Sequence, residues 1–329
     1  MTRVTTRRPR AVAAVLLAAS VAMSAAACTS NSDDSAAPRT PVVAPSVALT
    51  TVTDVLQKAV AARLDTSAGG PSAREQAYSG PALESANAFA KALPVMTPAE
   101  RAAAELSSDA KLLAVSASGA LPQQLLVQAS KKKTGDAVLV LLQSDQAGGP
   151  FTIVAETPML PQAKLDALDG TASGSAALGD GSGLAAAPKD VAAAFAASVA
   201  YPDPKLSSLL GPDPLSDQLR TSATAQGKAL GSRGVFTQTH APGEILGGLR
   251  LKDGKGALVF AQFTRDDRIA MSTPQKLTPA KDVTAITGIR LITTEADLTT
   301  NEIVAFVIPP SGPARAIAAW EQLVSGTGR

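Results

Sequence analysis

The sequence predicts an α+β protein, with the same order of elements used twice. Three observations carry this. In each half of the chain helical periodicity comes first and strand-like runs follow. Short turn signals separate the runs, as in an antiparallel meander rather than a doubly wound parallel sheet. A Gly/Ser/Ala-rich stretch at residues 166–187 stands between the halves. The implied divisions are a leader at 1–27, a tether at 28–50, a first α+β domain at 51–165, a linker at 166–187 and a second domain at 188–329.

The leader begins with Arg3, Arg7, Arg8 and Arg10, continues through an apolar run from Ala11 to Val21 and ends in small residues before Cys28. That is the layout of an export signal peptide. The segment ahead of Cys28 resembles a lipobox, with Ala25 where Leu or Val is usual. Cys28 would then be lipidated and become the first mature residue. Ala25-Ala26-Ala27 also fits ordinary secretion, and Ala11–Ala27 is at the short limit for an uncleaved anchor of roughly 20 residues. Cys28 is the only cysteine, so no internal disulfide is available in an oxidising compartment. Lipidation would consume an otherwise unpaired thiol. Arg7-Arg8 is followed by Pro9-Arg10, which leaves open whether export is general or twin-arginine.

Residues 29–50 are polar and then proline-bearing (Pro38, Pro41, Pro45), so they are expected to stay disordered as the tether. Removing the leader's four arginines leaves twenty-six basic against twenty-eight acidic residues, a formal −2. That balance supplies no reason to expect nucleic acid as a partner. Aromatic residues make up 3% of the chain, a poor stacking platform for bases or sugars.

In the first half, Val52, Val55, Leu56, Ala59, Val60 and Leu64 recur at helical spacing, with Thr51 and Asp54 as the capping signal. A second helix is predicted over Pro81–Leu93. Thr97-Pro98-Ala99-Glu100 has the cap, proline and acid of a third helix start. Strands are predicted at Lys111–Ser118, Gln124–Ser130, Ala137–Gln143 and Phe151–Thr157, with a turn at Lys131–Asp136.

In the second half, helices are predicted over Pro188–Tyr201 and Pro214–Leu230. Strands follow at Gly234–His240, Ile245–Leu251, Ala257–Thr264, Gly288–Asp297 and Glu302–Ile308. Asp253-Gly254 marks a hairpin, because it tolerates positive φ. A closing helix over Pro313–Val324 would place Ile317, Trp320 and Val324 on one stripe.

The order of helices then curved sheet resembles the cystatin-like cone of the nuclear transport factor 2-like superfamily, present in tandem. The tether, the Arg74–Leu83 stretch and Pro158–Pro161 together resemble an uncharacterised family of actinobacterial lipoproteins. The resemblance implies two cone domains on a lipid anchor at the extracytoplasmic face of the cell membrane. It implies no activity and supplies no functional residues.

Candidate chemistry is sparse. His240 is the only histidine and no cysteine remains to help it, so zinc sites needing two such ligands are excluded and no metal or cofactor is expected. His240, Glu244 and Asp253 are the candidates for a catalytic pocket, set against a surface or capping role for His240. Gly179–Gly183 lacks the Gly-Lys-Ser/Thr ending of a phosphate loop. Lys131-Lys132-Lys133 reads as a solvated turn or a contact for anionic headgroups. Arg265-Asp266-Asp267-Arg268 reads as a self-paired surface turn, and Phe236, Phe260 and Phe263 as core.

The expected function is therefore a non-catalytic envelope lipoprotein that binds or positions a protein, an envelope polymer or an apolar ligand. An enzyme of the same fold with a pocket near His240 is the first alternative. A solute-binding lipoprotein of a transporter is the second, although such proteins alternate strands and helices in two lobes.

Overall fold

The computed structural model describes residues 39–169 and 171–329, all within one compact unit. The chain is α+β, with two four-stranded antiparallel sheets and helices preceding each. The first half runs α1 (Pro45–Leu64), α2 (Gly70–Ala77), α3 (Gly80–Ala92), α4 (Pro98–Ala104), then β1 (Lys111–Val115), β2 (Gln123–Ser130), β3 (Ala137–Ser144) and β4 (Thr152–Pro158). The second runs α5 (Pro188–Ser198), α6 (Pro214–Leu230), β5 (Gly234–Arg250), β6 (Ala257–Met271), α7 (Lys281–Thr287), β7 (Glu295–Ile308) and β8 (Arg315–Gly328). Each sheet is a simple meander, β1-β2-β3-β4 and β5-β6-β7-β8.

Strand alternation assigns the layers. Leu125 and Val127 of β2, with Val138, Val140 and Leu142 of β3, face Ala48, Val52, Leu56 and Ala59 of α1. The intervening residues Leu126, Leu139 and Leu141 face Leu258 and Phe260 of β6 and Ile303, Ala305 and Val307 of β7. The two sheets therefore share one apolar layer. On the far side of the second sheet, Phe263 and Phe306 meet Val191 and Phe195 of α5 and Leu215 and Leu219 of α6. The Phe195 ring lies 5.0 Å from Phe263 and 5.4 Å from Phe306, tilted and edge-on. The layers run helix, sheet, sheet, helix. Residues 166–187 carry no helix or strand, but Leu168, Ser175 and Ala177 bridge to Leu251, Ser116 and Leu249.

Several sequence expectations hold. Thr97 and Glu100 form a reciprocal capping box at α4. The Lys131–Asp136 turn closes with Gly135 at φ 77°. The β5–β6 connection uses positive φ at Asp253 (57°) and Gly254 (68°).

Others are corrected. Helix α1 begins at Pro45, so residues 45–50 are helical rather than part of a disordered tether. Pro45 suits the first helical turn, and Val42 and Val43 already pack on the core upstream of it. Thr51 and Asp54 are consequently interior to α1, and residues 28–38 lie outside the described residues. The two strands expected at 234–240 and 245–251 are one strand with irregular register between Pro242 and Gly247. The strand expected at 288–297 begins only at Glu295, and the short helix α7 precedes it, ended by Gly288 at φ 79°.

The largest correction is the closing helix. Residues 315–328 form β8, paired antiparallel along β7. Helical stripe and strand alternation compete in this segment. The exposed backbone edge of β7 decides, because its buried N–H and C=O groups need partners.

Candidate functional site

Cys28, the expected lipidation site, lies outside the described residues. No helix among the described residues is long and apolar enough to cross a membrane. Among the described residues, two buried clusters of charged side chains lie on opposite faces of β7 and β8, and an open groove lies between the sheets.

The first cluster centres on Glu156 of β4. Arg63, in the last turn of α1, places Nη1 2.6 Å from Glu156 Oε1. Lys131, one residue beyond β2, places Nζ 3.6 Å from the same oxygen. The indole of Trp320 on β8 lies 5.3 Å from the Arg63 guanidinium and 5.2 Å from Lys131 Nζ, within cation–π range. Phe89 covers the other side of Arg63 at 4.3 Å. Burial pushes the Glu156 carboxyl up, but Arg63 and Lys131 outweigh it, so its pKa is lowered from 4.5. For Lys131, burial dominates over attraction to Glu156 and lowers its pKa. Burial, with Glu156 adding to it, raises the pKa of Tyr78, whose hydroxyl donates to Ala59 O at 3.1 Å.

Two cavities flank this cluster, each of about 10 Å³. That is room for one water at most. The cluster joins α1 to both sheets and leaves no space for a small-molecule ligand. Lys131 is thus a buried cation, which corrects its reading as part of a solvated turn or headgroup contact. The sequence carried a signal for this: Val127, Ala129 and Lys131 continue one period-two face.

The second cluster lies on the helix-covered face of the second sheet. Arg265 Nε is 3.1 Å from Asp267 Oδ2, and its Nη1 is 2.9 Å from Glu302 Oε1 and also bonds Glu321. Burial alone would lower the Arg265 pKa, but the three carboxylates outweigh it and the pKa is raised. Gln238 Nε2 donates to Asp267 Oδ1 at 2.8 Å. His240 Nε2 lies 3.3 Å from Glu302 Oε2 without the alignment of a hydrogen bond. Arg265–Arg268 is therefore mid-strand rather than a surface turn, and His240 is buried rather than a surface or capping residue. Phe236, Gln238 and His240 alternate inward along β5, so a strict period-two reading from Phe236 places His240 inside.

The three residues expected to form one pocket do not meet. His240 belongs to this buried cluster. Glu244 is exposed at the irregular stretch of β5. Asp253 is exposed in the turn beyond the far end of β5 from His240.

Glu244 instead lines an open groove of about 440 Å³. Gln124, Gln143 and Thr152 of the first sheet, with Asp145 in the loop after β3, form one wall, and Glu244 to Gly247 of β5 form the other. Gln124 Oε1 accepts from Gly248 N at 3.2 Å, and the Gln143 amide donates to Leu246 O. These two glutamines hold β5 against the first sheet where its register shifts. A Cβ on Gly247 would stand 2.5 Å from Gln143 Nε2, so glycine permits the approach. No lysine or arginine lines the groove, and neither Asp145 nor Glu244 has an ion-pair partner among the described residues. Its volume is in the range of small-ligand sites, with amides and carboxylates beside the apolar Val154 and Ile245.

Comparison with protein-family models, with curated proteins and with solved structures finds no match to this chain.

Proposed function

We propose that the chain is a membrane-anchored extracytoplasmic lipoprotein, non-catalytic, whose fold binds or positions an envelope partner through the groove between its sheets. The observation that carries the reading is the order at the N-terminus: basic residues, an apolar run, small residues and then the only cysteine, Cys28. Acyl chains on Cys28 would hold the protein at the membrane, at about 0.8 kcal/mol per buried CH₂.

Two features of the fold support the non-catalytic part. The charges of the two buried clusters are engaged with one another across elements, as structural ion pairs are. The proposed catalytic trio of His240, Glu244 and Asp253 is dispersed. The groove favours a ligand with hydrogen-bond donors over a purely apolar one, because Asp145 and Glu244 offer free acceptors. The finer fold reading, tandem cystatin-like cones of an actinobacterial lipoprotein family, rests on helices preceding each meander and on the irregular registers of β5 and β7.

The test has two parts. Intact mass of the mature protein from native membranes is expected to show a chain starting at Cys28 with acyl groups attached. An unmodified chain starting elsewhere overturns the anchor. Cross-linking in native membranes is expected to capture a partner with wild type and to lose it in the double variant Asp145→Asn, Glu244→Gln. Equal capture by both overturns the groove.

A further inference from the structure

We propose that the groove between the sheets takes a lysine or arginine side chain, carried on a segment of a protein partner, with Asp145 and Glu244 as its counter-charges. The proposal rests on the reading of this groove as the partner-binding site.

Strand register builds the polar wall. Gln124 of β2 stands opposite Gln143 of β3, and Gln143 opposite Thr152 of β4, so the three side chains leave one face of the first sheet. Each glutamine commits one half of its amide to β5: Gln124 Oε1 accepts from Gly248 N, and Gln143 Nε2 donates to Leu246 O. The other halves, Gln124 Nε2 and Gln143 Oε1, carry no hydrogen bond among the described residues. Gln124 is 5% exposed, yet it lines the groove and its amide nitrogen is not sealed within the protein. Side chains buried to this degree ordinarily use both halves of the amide. The wall thus holds one unused donor and one unused acceptor, the chemical complement of a peptide group's C=O and N–H.

The charges at the groove are of one sign. Asp145 directly follows β3, and Glu244 is exposed at the irregular stretch of β5. Among the described residues they are the only charged side chains lining the groove, and neither has an ion-pair partner. The buried acids Glu156 and Glu302 each have a cation beside them within the fold. A cation for Asp145 and Glu244 has to come from outside. Val154 and Ile245 line the same groove, so part of its surface is apolar. Lysine and arginine bring both parts, an aliphatic stem for the apolar wall and a cationic head for the carboxylates. A purely apolar segment would strip water from the carboxylates without pairing them.

Charge complementarity therefore names the side chain, and the half-used amides name the peptide that carries it. The mode of recognition also follows. β5 is an edge strand of its sheet, but Pro242 lacks an N–H and the register is broken from Pro242 to Gly247. Both features oppose the addition of another strand at this edge. The partner is held through the side chains of the groove rather than as a continued ladder.

Fluorescence anisotropy of dye-labelled pentapeptide pools on the full-length protein in detergent, at low salt, tests this. The pools share randomised flanks and fix the central residue as lysine, arginine, norleucine or glutamate. The lysine and arginine pools are expected to bind about tenfold more tightly than the norleucine pool. The double variant Asp145→Asn, Glu244→Gln is expected to bring the pools to within about threefold of one another. The reversal Asp145→Lys, Glu244→Lys is expected to move the preference to the glutamate pool, a gain that a misfolded protein would not show. Equal binding of the lysine, arginine and norleucine pools overturns the basic occupant. If cross-linking in native membranes still loses its partner in the neutral double variant, the groove itself stands. A preference for lysine that survives both variants, with partner capture unchanged, overturns both.

Discussion

Glu156 holds Arg63 at 2.6 Å across ninety-three positions of sequence, and both side chains are more than nine-tenths buried. Lys131 shares the same carboxylate oxygen. One acid therefore ties α1, the β2–β3 turn and β4 together beneath Trp320. Breaking a buried pair costs more than the pair contributes, because the surviving charge keeps its desolvation penalty.

Glu156→Gln is expected to leave Arg63 and Lys131 facing a neutral amide and to cost about 3–5 kcal/mol. Urea unfolding followed by the emission of Trp320, the only tryptophan, measures it. An unchanged midpoint would show that the carboxylate's charge is not needed.

Acid stability carries the same signature. The folded pKa of Glu156 is below its ordinary 4.5, so its contribution is complete above that value. It is lost as pH falls through the lower, folded value. Wild type is expected to lose stability steeply below about pH 4.5, and Glu156→Gln to show a flatter acid limb in thermal melts at stepped pH.

Lys131→Met is expected to behave differently from Glu156→Gln. Burial already disfavours the Lys131 charge, Arg63 remains to balance Glu156, and Met retains the apolar stem under Trp320. The stability change is expected to stay within about 1 kcal/mol. A loss comparable to that of Glu156→Gln would mean that both cations are required.

Arg265 balances three carboxylates in the second cluster, of which Glu302 is 1% exposed. Arg265→Met is expected to cost about 3–5 kcal/mol by leaving Asp267 and Glu302 without a cation. Glu302→Gln is expected to cost less, about 1–2 kcal/mol, because Arg265 keeps Asp267 and Glu321. Denaturation midpoints of the two variants give the order, and the reverse order would place the essential charge on Glu302.

Gly227, inside α6, would ordinarily gain up to about 1 kcal/mol of helix propensity from replacement by alanine. Here a Cβ would stand 2.1 Å from the Tyr201 hydroxyl oxygen. Gly227→Ala is expected to destabilise by about 1–3 kcal/mol despite the propensity. A stabilised variant in thermal melts would show that the Tyr201 ring moves aside freely.

Much of the fold was legible because its signals are local. The capping box at Thr97, the Asp253-Gly254 turn and the helical spacing of Val52, Leu56 and Ala59 each depend on a few neighbouring residues. Where local signals were balanced, the reading failed. Ile317, Trp320 and Val324 fit a helical stripe, yet the segment pairs with β7. Gly288–Asp297 had strand-like residues, but pairing with β6 begins only at Glu295.

The run of basic, apolar and small residues that ends at Cys28, and the order of helices before strands in each half, were matters of sequence alone. The buried charges were decided by tertiary structure. Arg63, Lys131 and Glu156 come from three separate elements, and although Lys131 continues the inward face of Val127 and Ala129, nothing in the sequence brings the three charges together. His240 and Glu244 are four positions apart, yet one is sealed beside Glu302 and the other lines the groove. Alternation fixes which face of a strand a side chain occupies. Only the packing of one sheet against another, and of helices over both, determines whether that face meets water or core.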